Sequence, residues 1–64
     1  MAITIKAARV NVGLTQDVAS KELGISRATL ASYEAGKTTP DIEMGKKMAV
    51  LYKTSVDELI FSAN

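Results

Sequence analysis

The stretch from Ser26 to Gly36, SRATLASYEAG, holds the side chains best placed to do chemistry. As a short helix it sets Leu30 and Tyr33 on one side and Arg27, Ala28, Ala31, Ser32 and Ala35 on the other. One guanidinium with five N–H donors thus stands among small neighbours. Such a face lets a helix backbone come close to another surface, with the arginine supplying directional bonds. Taken alone, the same pattern describes a solvated face on which alanine is a good helix former. No constellation suited to catalysis accompanies it. The chain has no His and no Cys, and its carboxylates are scattered at helix caps and outer faces. Neither an enzyme, a metal site nor a cofactor is expected.

The elements that must position this face are legible in the punctuation. Five short helical patterns follow one another, and no alternation lasts long enough to argue a strand. The first runs from about Thr4 to Asn11, with Ile5, Ala8, Arg9 and Val12 on one stripe and Gly13 as its stop. The second is capped by Thr15, has Asp17 in its first turn and ends near Glu22, with Gly24 able to turn at positive φ. Ser26 caps the third, which Gly36 ends. After the Lys37-Thr38-Thr39-Pro40 loop, Asp41 caps a fourth whose inward stripe is Ile42, Gly45, Met48, Ala49 and Tyr52, with Lys46 and Lys47 outward. Ser55-Val56-Asp57-Glu58 has the form of a capping box and predicts a fifth helix with Val56, Leu59 and Ile60 inward, leaving Phe61 on the outside for a dimer contact.

Bulk properties bound the rest. Sixty-four residues allow a single domain, which at this size buries only about 60% of its unfolded surface. The 47% hydrophobic and 23% charged content is that of a globular chain. No apolar run approaches a membrane span and no signal-peptide pattern opens the chain, so a soluble cytoplasmic protein is expected. The formal charge is only +1. Up to Pro40, Lys6, Arg9, Lys21, Arg27 and Lys37 outnumber Asp17, Glu22 and Glu34, whereas acids outnumber bases in the remainder. An anionic ligand would meet the first part.

Only Leu23-Gly24-Ile25-Ser26 separates the second and third helices, a turn that joins helices at a steep angle, as in a helix-turn-helix. Here the sequence resembles the phage repressor and Cro type of helix-turn-helix, also called the xenobiotic-response-element family. The resemblance covers roughly Arg9 to Ile60. It rests on Gly13-Leu14-Thr15-Gln16, Leu23-Gly24-Ile25-Ser26, Glu34-Ala35-Gly36-Lys37, Pro40, Ala49 and Ser55-Val56-Asp57-Glu58-Leu59, in this order and spacing. It implies an all-α, compact five-helix, lambda-repressor-like domain over residues 1–64, with the helix-turn-helix at about 15–35. Four positions depart from the family pattern. Ala19-Ser20 stands where a large aliphatic residue and alanine are usual, Ala8 where leucine is, and Lys53 where glycine is common.

The resemblance also implies a function: sequence-specific binding of double-stranded DNA by a small, repressor-like regulator, as a homodimer on a palindromic operator. The third helix would enter the major groove. Carried onto this chain, its base-facing positions are Arg27, Ala28 and Ser32, with Ser26 and Ala31 nearby. Arginine forks onto guanine O6 and N7, alanine packs on a thymine methyl, and serine bonds several bases. Gln16, at the start of the second helix, would hold a phosphate, as would Lys37, Thr38 and Thr39. Lys6 and Asn11 are weaker candidates. Arg9 and Glu34 call for a structural reading: each carries its charge inward, and an unpaired buried charge is very costly, so the two should meet across the first and third helices. An Arg–Glu pair at these positions is also a family trait. Tyr33, Met44 and Met48 are expected in the core. A second class of function fits the same fold: a protein-interaction module (antitoxin, antirepressor or adaptor) with a protein on the alanine-rich face. Steep salt dependence of DNA binding separates the two.

Overall fold

The computed structural model describes residues 2–61. Four α-helices carry the fold: α1 (Ile5–Asn11), α2 (Gln16–Leu23), α3 (Arg27–Ala35) and α4 (Ile42–Leu51). Each begins with a side-chain oxygen accepting the N–H three residues on, at 2.8–3.2 Å. Thr4 caps toward Ala7, Thr15 toward Val18, Ser26 toward Thr29 and Asp41 toward Met44. These oxygens satisfy amides that have no partner inside the helix.

The four helices also end alike. The residue that turns away sits at positive φ, namely Gly13, Gly24, Gly36 and Lys53. The next N–H reaches back to the carbonyl five residues earlier: Leu14 to Arg9, Ile25 to Ser20, Lys37 to Ser32 and Thr54 to Ala49, at 2.9–3.2 Å. Three of these turns use glycine, which has no Cβ to clash there. The fourth uses Lys53, where the family commonly has glycine.

The expected fifth helix does not form among the described residues. Val56–Glu58 form one 3-10 turn, and Leu59–Ile60 are extended. They pair in parallel with Ile3–Thr4, Ile3 opposite Leu59 and Thr4 opposite Ile60; these segments are β1 (Ile3–Thr4) and β2 (Leu59–Ile60). The physical reason lies in the cap. The Ser55 hydroxyl bonds the Glu58 carboxylate at 3.2 Å and caps no backbone amide. One poorly capped turn is a weak helix nucleus. The extended course instead bonds β1 and buries Leu59. The molecule is therefore mostly helical, with four helices and a two-stranded sheet among the described residues.

Ile5, Ala8, Ala19, Leu23, Leu30, Met48, Ala49, Tyr52 and Leu59 form the core. Two further expectations need correction. Ile42 is 60% exposed: at the first position of α4 its side chain leans back past the helix start, and the covered stripe begins one turn later at Gly45. Phe61 does not face outward but lies against Gly45, so close that a Cβ built there would meet its Cζ at 3.0 Å. The family-atypical small residues Ala8, Ala19 and Ser20 are all buried, and Met48 and Tyr52 are buried in the same core. The Ser20 hydroxyl is satisfied by the Asp17 carbonyl at 3.0 Å.

Candidate nucleic-acid interface

Leu30 is fully buried, which anchors α3 by its inner side and turns the opposite side outward. Arg27, Ala28 and Ala35 are exposed there, and Ala31 and Ser32 are half-buried. Ser26 is exposed, but its hydroxyl is already engaged. It accepts the Thr29 N–H at 3.0 Å and shares a hydrogen bond with the Thr29 hydroxyl at 2.8 Å. Lys37, Thr38 and Thr39 are exposed in the loop after α3, held in place by buried Pro40 and by the Lys37 N–H on the Ser32 carbonyl. Lys6 and Asn11 are exposed on α1.

Beneath this face lies a polar network built on Arg9. Its Nε donates to Glu34 Oε2 at 2.7 Å, its Nη2 to Glu34 Oε1 at 3.2 Å and its Nη1 to the Leu14 carbonyl at 2.7 Å. The Arg9 and Glu34 side chains are only 9% and 5% exposed. One guanidinium thus ties α1 both to α3 and to the backbone just before α2. The fork geometry suits this: two parallel bonds to a carboxylate, with donors left over for a carbonyl.

Gln16 extends the network outward. Its Nε2 donates to Glu34 Oε1 at 2.9 Å, and its Oε1 faces the Arg27 Nε at 3.5 Å. Arg27 Nη1 lies 3.7 Å from Asp17 Oδ1, with both side chains 66% exposed. A chain of contacts therefore runs from Arg9 in the interior through Glu34 and Gln16 to Arg27 at the surface. Sequence reasoning missed these links to Arg27. Their only signal was that Gln16, Asp17 and Arg27 all occupy first turns of helices joined by a short turn. It also missed Lys47, whose ammonium donates to the Leu23 carbonyl at 3.1 Å and so caps the end of α2.

Near the network, Tyr52 is 3% exposed and its hydroxyl has no hydrogen-bond partner among the described residues. Burial pushes its pKa up to about 12; the Glu34 charge adds to the rise and Arg9 opposes it.

In chemical terms the surface offers a cation at the start of α3, small side chains along it, hydroxyls at Ser32, Thr38 and Thr39, and an ammonium at Lys37. No described helix is long and apolar enough to cross a membrane.

Comparison with known proteins agrees with this architecture. The helix-turn-helix family model matches residues 5–59. The chain is 29% identical over 59 residues to an uncharacterised HTH-type transcriptional regulator of Archaeoglobus fulgidus, covering 92% of this chain and 84% of that protein. It is 31% identical over 55 residues to another from Methanocaldococcus jannaschii, covering 86% and 83%. A second Archaeoglobus fulgidus protein of the same description is 27% identical over 59 residues, covering 92% and 83%. No solved structure matches significantly. The helix order, the tight α2–α3 turn and these matches agree: the chain belongs to the Cro/C1-type helix-turn-helix family.

Proposed function

We propose that this protein is a non-enzymatic transcriptional regulator of repressor type, a single domain that binds double-stranded DNA sequence-specifically in the cytoplasm without a cofactor. In this reading α3 is the recognition helix. Arg27, Ala28 and Ser32 read bases in the major groove, with Ala31 and Ser26 beside them; the engaged hydroxyl of Ser26 makes it the least of these. Gln16 keeps one amide hydrogen for a phosphate while the other is held by Glu34. Lys37, Thr38 and Thr39 hold a second phosphate, and together these contacts set register. One helix reads few base pairs, so the functional species is a homodimer on a palindromic operator. The Arg9–Glu34 pair keeps an architectural role.

The observation that carries the reading is the outer side of α3, where an exposed arginine stands among small side chains on a helix anchored from beneath. The relatives described as transcriptional regulators support it.

Selection of bound sequences from a random duplex pool tests it. Enrichment of a palindrome with half-sites about one helical turn apart is expected, with binding that weakens steeply as salt rises. A pool that shows no enrichment even at low salt would overturn the reading in favour of a protein partner on the same face.

A further inference from the structure

Arg27 is bracketed by α2 on two sides, and the second bracket is a charge where a DNA-facing surface would be better without one. Asp17 Oδ1 lies 3.7 Å from Arg27 Nη1, while Gln16 Oε1 lies 3.5 Å from Nε. Gln16 is fixed in turn by Glu34 at 2.9 Å, so this bracket is anchored in the buried network. Asp17 is exposed in the first turn of α2. There its carboxylate stands beside the helix start proposed to receive a phosphate, where it disfavours any polyanion. An acid in this place weakens DNA binding in general unless it does something for sequence choice.

We propose that Asp17 is a positioning residue for specificity. Its carboxylate holds the Arg27 guanidinium away from phosphates and leaves Nη2, which bonds no described residue, directed at a base edge. The inference rests on the DNA-binding reading above and deepens it. The physics is a difference between two states. On the correct base pair Arg27 keeps its Asp17 contact and adds bonds to the base. On other sequences a free arginine would swing to a phosphate, and the carboxylate competes with that alternative. Asp17 thus lowers nonspecific affinity more than specific affinity.

The test uses the whole chain, with the duplex selected from a random pool and a scrambled duplex of the same length. Asp17→Asn keeps shape and polarity while removing the charge, and its thermal midpoint is checked for folding. The expected result is about two- to fivefold tighter binding to the scrambled duplex, the scale of an exposed ion pair, with a smaller gain on the selected duplex. The scrambled complex should also gain salt dependence, toward one more released counterion. Preference at the one base pair that Arg27→Ala relaxes should fall in Asp17→Asn, and the effect should vanish when both changes are combined. Equal tightening on both duplexes with base preference unchanged would overturn the proposal, leaving Asp17 a general repulsive charge. If Arg27→Ala relaxes no base pair while other α3 changes do, the proposal fails and the DNA-binding reading stands. If no α3 change alters base preference, the reading itself fails.

Discussion

A guanidinium with nine-tenths of its surface covered must be matched bond for bond, and Arg9 is: a carboxylate takes two of its nitrogens and a carbonyl takes the third. Removing one member of such a pair strands the other charge, at a cost of about 3–5 kcal/mol. Total stability for a domain of this size is of order 5 kcal/mol. Arg9→Met or Glu34→Leu should therefore unfold much of the population at room temperature in a denaturant titration, and the double change should hurt less than either single one. An Arg9→Met variant with an unchanged thermal midpoint and no DNA binding would place Arg9 on phosphates instead. Tyr52 is the opposite case, a buried hydroxyl that bonds no described residue. Tyr52→Phe removes a poorly placed polar group, so at neutral pH it should be neutral or stabilising by up to roughly 1 kcal/mol. The pH profile gives a second readout. A phenol with a folded pKa of about 12 against an ordinary 10.0 keeps its proton longer when folded. Stability is therefore unaffected by this group's titration below about pH 10 and falls as pH climbs from about 10 to about 12, by roughly 2–3 kcal/mol in all. Chemical denaturation across that window should show the loss in the native chain and not in Tyr52→Phe.

At the scale of elements, the helices are defined at both ends by local chemistry, with a capping oxygen at each start and a left-handed residue after each end. Lys53 alone among those four terminal residues is not glycine, and a side chain in the left-handed region costs about 1–2 kcal/mol. Part of that is offset because glycine has more freedom when unfolded. Lys53→Gly should thus raise stability by about 0.5–1 kcal/mol, and Gly24→Ala should lower it by about 1 kcal/mol or more; thermal melts of the two variants check the pair of signs. This local definition is why α1 to α4 were readable from sequence to within a residue or so. Ser, Thr and Asp caps and glycine stops act on their immediate neighbours. The segment from Ser55 departs from its local spelling because its fate is not local. A capping-box spelling says nothing of the β1 strand, more than fifty residues away in sequence, that takes Leu59 and Ile60 as partners. Phe61 turns inward for the same reason, since Gly45 of α4 leaves room for its ring.

For the whole molecule, much of the proposed site could be read because it sits on one helix whose buried Leu30 fixes which side faces out. The links between helices could not. That Glu34 holds Gln16, and that Asp17 and Gln16 bracket Arg27, depend on the angle between α2 and α3 and on rotamers that spacing does not encode. Net charge says little, because +1 hides a surface on which cations and carboxylates are interleaved; only its distribution points to the part up to Pro40. Sequence recognition is proposed to lie on α3, with phosphates held at its two ends, and a backbone-amide NMR titration with the selected duplex is the sharpest test. The predicted result is that the largest shifts fall at Gln16, from Arg27 to Ser32 and from Lys37 to Thr39, while Lys46, Val50 and Leu59 stay nearly still. Shifts concentrated on the exposed side of α4, with Arg27 to Ser32 unmoved, would contradict it.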